Sequence, residues 1–321
     1  MRRATLLLVL LTACGTNAGE EVRITYRRGE SLGTFLRALK DSNVIRDERL
    51  LRVLVRLGGI ERKIRPGLYV FRRGEGIWRV YEKLREGPKV RYFKFVIKEG
   101  ESLKDFLPRL GRYGYDTSYL LSLAHDSLFL MHLSRKFPFL RGKKTLEGFM
   151  YPETYFVDYG ASEEEVFIPP LEKFRKVWDS LDVERRSRKV GLSPYEVLIL
   201  ASIVEKEAVL DEEKPIIASV FLNRLKRGMP LAADPTVKYV LKNPPKLLSR
   251  RDVGIDSPYN TYRYPGLPPT PICSPTAKSI EAVLEPAKTD YLFFASADGR
   301  RHRFARTYRE HLRNVRRMRL K

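Results

Sequence analysis

Two carboxylates and an ammonium group stand side by side in LASIVEKEAVL, residues 200–210: Glu205, Lys206 and Glu207. Just upstream, Ser193-Pro194-Tyr195-Glu196 spells a capping box with proline at the first helical position. The pattern predicts a helix over 194–208, and its apolar residues fall on every side, so the helix should be buried. Charges at the end of a buried helix either reach solvent or have work to do. Three and four positions from Glu205 stand Ala201, Ser202, Ala208 and Val209, none charged and mostly small. Glu207 sits over Ile203 and Val204 and also lacks a cation on its own helix. A carboxyl in apolar, partly desolvated surroundings keeps its proton near neutrality, which is what a general acid needs. The hollow of small residues favours Glu205 for that role. A second reading pairs Glu205 with an arginine from elsewhere, easily found among the chain's 61 cations, and on the residues alone both stay open.

Other segments carry chemistry or imitate it. Asp234-Pro235-Thr236 reads as a helix N-cap followed by proline. Thr307-Tyr308-Arg309-Glu310 is another capping box, which accounts for Thr307 and Glu310 without a catalytic role. His302 and His311 are too few for a metal site. Tyr259-Asn260-Thr261-Tyr262 lies between prolines, and its rings and amide suit sugar recognition by stacking and by hydrogen bonds to hydroxyls.

The elements that must position these residues divide at about residue 145. In the first third, RRGESLGTFLRAL (27–39), RRGEGIWRVYEKL (72–84) and KEGESLKDFLPRL (98–110) share a Gly-Glu step after a short β-like run. Each predicts strand, tight turn and helix, with Ser31 and Ser102 as N-caps. From about residue 22, IRPGLYVF (64–71) closes a strand-helix-helix-strand unit that resembles a LysM-like module, a fold associated with N-acetylglucosamine-containing glycans. Its turn is Gly-Glu-Ser where that module usually has Gly-Asp-Thr. Beyond residue 145, helices are predicted over 170–182, 194–208, 215–227, 235–242 and 308–318, with a hairpin at YLFFASAD (291–298) and HRF (302–304).

At 321 residues, 43% apolar and 11% aromatic, the chain is globular and long enough for two domains. A net charge of +22 calls for anionic surroundings. MRRATLLLVLLTAC begins with two arginines near its start, runs apolar from Ala4 to Ala13, and ends at Cys14. The run is too short for a spanning helix and suits an export signal. Leu11-Thr12-Ala13-Cys14 resembles a bacterial lipobox; the alternative is a short uncleaved anchor. Either way the chain is expected outside the cytoplasm, tethered to a membrane, with no nucleic acid as partner. Only Cys273 remains, so neither a disulfide nor a cysteine-based zinc site is expected.

A set of ordered motifs is similar to the YceG-like family of endolytic murein transglycosylases. These are Ala201–Ala208, Ala218–Leu225, Gly228-Met229-Pro230-Leu231, Asp234-Pro235-Thr236-Val237, Tyr259–Tyr262, Gly266–Pro269 and Phe304–His311. Upstream, Leu146-Glu147-Gly148-Phe149 and Tyr151-Pro152-Glu153-Thr154-Tyr155 fit as well. The sequence departs from the family pattern over Thr270–Pro275 and in its short N-terminal signal. The resemblance implies cleavage of nascent peptidoglycan strands between N-acetylmuramic acid and N-acetylglucosamine, leaving 1,6-anhydro ends, with no cofactor or metal. It places the catalytic glutamate on Glu205. It also implies a substrate site drawn from Ser202, Glu207, Asp234, Thr236, Tyr259, Asn260, Tyr262, Tyr151 and Glu153, and peptidoglycan synthases as partners. The expected architecture is α+β: an export signal or anchor (1–20), a LysM-like β-α-α-β module (21–90), a connecting α/β subdomain (91–144) and a mixed helical/β catalytic domain (145–321). The rivals are a non-catalytic wall-binding lipoprotein and a hydrolytic muramidase, in which Asp234 would serve as the base for water.

Overall fold

The structure, a computed structural model, describes residues 19–319. The expected export signal with Cys14 lies outside the described residues. Three times the chain leaves an extended segment through one kind of turn. Gly29, Gly74 and Gly100 take φ of 81°, 66° and 70°, the left-handed region that glycine enters without steric cost. The glutamate after each turn folds back on the backbone. Glu30 accepts from the Arg27 N–H at 3.1 Å, Glu75 from Arg72 at 2.9 Å and Glu101 from Lys98 at 2.9 Å. The Gly-Glu step is therefore a built turn, repeated.

The first of two compact units comprises the described residues up to Val96, with Leu107–Leu123 and Thr154–Pro169. Strands β1 (Glu21–Tyr26) and β2 (Gly67–Arg72) pair antiparallel, Glu21 opposite Arg72 and Tyr26 opposite Gly67. Between them run α1 (Leu32–Asp41), capped by Ser31 as expected, and α2 (Glu48–Leu57), with α3 (Ile77–Glu86) after β2. Alternation in β1 sends Val22 and Ile24 into a core with Phe35, Leu36, Leu39, Leu51, Val55, Tyr69 and Phe71. Burying each large side chain is worth about 1.5–3 kcal/mol. This is the strand-helix-helix-strand order of the predicted module.

Strand β3 (Tyr92–Val96) pairs with the distant β4 (Thr154–Asp158). Residues 91–144 thus do not form a connecting subdomain of their own, because their strand finds its partner beyond them and the rest is shared between the two units. The third repeat copy also departs from expectation: α4 (Leu103–Phe106) is a single turn that passes into a 3-10 segment, Leu107–Tyr113. Pro108 has no N–H to continue an α-helix, and at its start Ser102 donates both its N–H and its hydroxyl to Asp105 Oδ2 at 2.8 Å. Helices α5 (Thr117–Leu123) and α6 (Ser127–Ser134) follow.

The second unit, Ile97–Phe106, Ala124–Glu153 and Pro170 onward, carries the motifs. It contains α7 (Ile168–Ser180), α8 (Val183–Arg186), α9 (Pro194–Glu207), α10 (Lys214–Lys226) and α11 (Asp234–Val240). These are followed by α12 (Arg250–Val253), α13 (Ala277–Leu284), the hairpin β5 (Phe293–Ser296) and β6 (His302–Ala305), and α14 (Tyr308–Arg319). α9 is the central helix, with α10, α11 and α13 packed on it. Every residue from Val197 to Val204 is buried, which is why the apolar pattern shows no polar face. No helix among the described residues is long and apolar enough to cross a membrane.

Gly148 locks this unit at one point. Its φ is +86°, and a Cβ there would lie 2.5 Å from Pro271 Cβ. Gly148→Ala is expected to lose more than about 1 kcal/mol through the left-handed backbone and the clash together; a lowered denaturation midpoint checks it.

Candidate active site

Both halves of the predicted capping box are present at α9. The Glu196 N–H donates to Ser193 Oγ at 3.3 Å, and the Ser193 N–H donates to Glu196 Oε2 at 2.7 Å. The helix then runs buried until Glu205, where it meets a neighbour the sequence pattern did not reveal. The N-terminus of α13 presents the Thr276 N–H, the Thr276 hydroxyl and the Ser279 hydroxyl, at 2.8, 2.7 and 2.6 Å from Glu205 Oε2. Lys214 Nζ lies 3.6 Å from the other oxygen, Oε1, with both side chains almost fully buried. Lys214 also bonds Thr276 Oγ1 at 3.3 Å and pairs with Asp211 at 2.9 Å. A carboxylate is stabilised at a helix N-terminus, where unpaired N–H groups and the dipole meet it.

Glu205 is therefore not the unpartnered carboxyl in a small-residue hollow that its own helix suggested. It is an acceptor on every contact and joins α9 to α10 and α13. The cation reading is the one the geometry favours, with lysine in place of arginine.

Glu207, the last residue of α9, is the opposite case. It is half-buried, and no hydrogen bond or ion pair to another described residue engages its carboxyl. Burial pushes its pKa up to about 8, and the nearby charge of Asp234 pushes the same way, against weaker pulls from Lys238 and Arg224. The negative end of the α9 dipole acts in the same direction as the burial.

Asp234 begins α11 without capping it, since Ala233 holds the N-cap position. Its Oδ1 instead accepts the Tyr262 hydroxyl at 2.5 Å. Burial and that bond hold the Tyr262 phenol above its ordinary range. Glu207, Asp234 and Tyr262 thus face one another from α9, α11 and the Tyr-Asn-Thr-Tyr loop.

Most of the other expected substrate contacts are occupied within the protein. Asn260 is fully buried; its amide donates to the Val253 and Ile255 carbonyls at 2.7 and 2.8 Å, and its oxygen accepts from the Tyr262 N–H at 3.1 Å. Thr236 is also fully buried, bonded to the Ala233 carbonyl at 2.8 Å and to Thr261 at 2.9 Å. Ser202 Oγ donates to the Ile199 carbonyl at 2.7 Å and accepts the Ile272 N–H at 3.0 Å. Its own carbonyl receives the Cys273 thiol at 3.2 Å. These three residues are buried and fasten loops. Tyr259 is part-exposed and bonds Thr270 at 2.7 Å. Tyr151 lies under Lys173 at 5.8 Å, and exposed Glu153 pairs with Lys173 at 3.0 Å. His302 holds Glu213 through Nδ1 at 2.7 Å, and Thr307 and Glu310 form their capping box, each bond 3.3 Å long.

Glu147 is a further carboxyl in this unit, outside the expected substrate contacts. Glu147 is fully buried, and desolvation raises its pKa to about 8. The Leu103 N–H reaches its two oxygens at 3.2 and 3.3 Å, and the Tyr239 hydroxyl donates to Oε2 at 3.1 Å. The Tyr239 ring lies 5.1 Å from that of Tyr259, so Glu147 supports the aromatic loop from below α11. A carboxyl inside the apolar run Leu146–Met150 was the signal available in the sequence.

The YceG-like family profile matches residues 24–317. The chain belongs to the YceG-like family. It is 32% identical over 300 residues to the endolytic murein transglycosylase of Bacillus subtilis (strain 168), covering 90% of this chain and 82% of that protein. With the protein of that name from Streptococcus pneumoniae (strain D39) it shares 29% identity over 242 residues, 68% of this chain and 43% of the longer relative. Among solved structures, a yceG-like protein from Listeria monocytogenes matches with a TM-score of 0.63 and 30% identity, covering 92% of this chain and 98% of that one.

The two glutamates of this YceG-like chain should respond oppositely to amidation. Glu205→Gln is expected to cost about 2 kcal/mol or more, since an amide cannot accept three donors and face a buried ammonium on the other side. For Glu207 the sign follows from proton linkage. Between the ordinary carboxyl pKa of 4.5 and about 8, the folded protein keeps a proton that the unfolded chain has lost, so ionisation costs stability as pH rises. Glu207→Gln removes that term. Its stability relative to the parent should climb from pH 5 to pH 8 by up to about 1.4 kcal/mol per unit, then level off. Denaturant titrations across that range measure it.

Proposed function

We propose that this chain is an endolytic murein transglycosylase and that Glu207, not Glu205, is its acid and base. The observation that carries the assignment is a half-buried carboxyl with no hydrogen-bond or ion-pair partner among the described residues, held protonated near neutrality by burial and by Asp234. The proton passes from Glu207 to the glycosidic oxygen between N-acetylmuramic acid and N-acetylglucosamine, and the bond to the muramic C1 breaks. The carboxylate so formed takes the proton from the muramic C6 hydroxyl as that oxygen attacks C1, closing the 1,6-anhydro ring. One group serves both steps because its pKa lies close to the working pH. Tethered beside C1, the hydroxyl has the high effective concentration of an intramolecular nucleophile. Asp234 raises the proton affinity of Glu207 and holds Tyr262 beside it.

The substrate is then peptidoglycan glycan strands, as the names of the relatives suggest. Residues 1–20 would tether the chain to the bacterial membrane with the catalytic part on its outer side, and peptidoglycan synthases would be its working partners. The positive charge suits an anionic envelope.

Glu207→Gln is expected to lower release of anhydro-ended fragments by about 10²–10⁴-fold with the fold intact. In the parent enzyme kcat/KM should fall as pH rises through about 8, where Glu207 loses its proton. Mass spectrometry of digested peptidoglycan separates the chemistries, since an anhydro end is lighter by one water than a reducing end. Mostly reducing ends at short times would overturn the transglycosylase reading and make Asp234 the base for water, with two carboxylates across the bond.

A further inference from the structure

We propose that the outer face of α2, with Trp78 and Tyr81 of α3, docks on the surface of an anionic phospholipid bilayer. α2 buries one narrow stripe, Leu51 and Val55, in its module. Glu48 and Leu54 are half-buried, and the remaining residues face out in two parallel ridges. Arg49, Arg52 and Arg56 form one, and Leu50, Val53 and Leu57 form the other, each spaced by three and then four residues and so aligned along the helix. Leu50 is 51% exposed, Val53 52% and Leu57 81%. None of the three arginines makes an ion pair among the described residues, and Glu48 at the start is the only acid on the helix.

α3 completes the face. Tyr81 packs so tightly on the C-cap of α2 that a Cβ on Gly58 would lie 2.0 Å from its hydroxyl. Trp78 stands edge-on to Tyr81 at 6.1 Å and is 65% exposed, whereas the other tryptophan, Trp178, is buried.

A glycan subsite would need side-chain amides as well as a ring, and neither α2 nor α3 carries an asparagine or glutamine. A helix with arginines beside an aliphatic ridge, flanked by tryptophan and tyrosine, matches the interfacial layer of a membrane. There the aromatics sit among headgroups, and arginines meet acidic lipids. The chain's layout agrees: β1 begins at Glu21, seven residues past Cys14, so a tether at Cys14 leaves at most about 25 Å of extended chain before this module. That last point rests on the membrane tether proposed above.

The test uses the full chain reconstituted in vesicles that carry acyl-chain-brominated lipid, with and without phosphatidylglycerol. Trp78 emission is expected to shift to the blue and be quenched in the phosphatidylglycerol vesicles, and less so at high salt. Trp78→Phe should abolish the quenchable part, and an Arg49/Arg52/Arg56→Gln variant should weaken it, both without loss of glycan cleavage. A chain that stays on the vesicles while its Trp78 emission is unquenched would overturn the docking and leave the tether standing. A chain that does not associate with vesicles at all would overturn both. Quenching that is equal in neutral vesicles would overturn the anionic requirement. Protection of Trp78 by chito-oligosaccharides, with no response to vesicles, would assign the face to glycan instead.

Discussion

The carboxylate of Glu205 on the N-terminus of α13 is the contact around which the second unit is organised. It satisfies donors that a short helix would otherwise leave open, and it neutralises a buried lysine from α10. It therefore ties α9, α10 and α13 at one point. The rotation of α9 is fixed as a result. Two residues along an α-helix turn the side chain by about 200°, so with Glu205 held toward α13, Glu207 must point to the other side. That side is where α11 brings Asp234. The structural glutamate aims the one proposed to react.

Three carboxyls in this unit sort by the partners the protein gives them. Glu205 has three donors and a cation, Glu147 has the Leu103 and Gly148 N–H groups and one phenol, and Glu207 has none among the described residues. The last two share strong desolvation, yet differ in access, because Glu147 is sealed and Glu207 is not. A group that must give and take a proton at a ligand needs both a raised pKa and an open side. Glu207 alone among the three combines them.

Local elements were well legible in the sequence. The predicted helix 194–208 is Pro194–Glu207, 215–227 is Lys214–Lys226 and 308–318 is Tyr308–Arg319, because caps, prolines and periodicity act within a few residues. The β-α-α-β module was legible for the same reason. What could not be read is whatever depends on partners far along the chain. α13 is eight residues long and follows a proline-rich loop, so its N-terminus gave little sign of itself, and it sits about seventy residues from the glutamate it meets. Counting neighbours on one helix correctly found no partner for either glutamate. It could not foresee that tertiary contacts would supply one to Glu205 and withhold it from Glu207. The pairing of β3 with β4 escaped in the same way, and with it the true division of residues 91–144.

The Tyr-Asn-Thr-Tyr loop shows why residue type alone misplaces a role. Amides and hydroxyls suit sugars, but in a loop with few backbone bonds of its own they are the cheapest way to satisfy the loop itself. Asn260 spends both its donors and its acceptor on backbone groups, and Thr261 locks Thr236 and the Ala233 N–H. The loop becomes rigid by consuming its polar interior. Its two tyrosines are then left to project in opposite duties: Tyr259 leans on Tyr239 above the buried Glu147, and Tyr262 reaches Asp234 beside Glu207. The rigidity of the amide core is what lets a phenol at the end of a loop hold a carboxylate in place. In the proposed mechanism a change at Asn260 therefore reaches the reaction through Tyr262 and Asp234, without the amide itself touching a sugar.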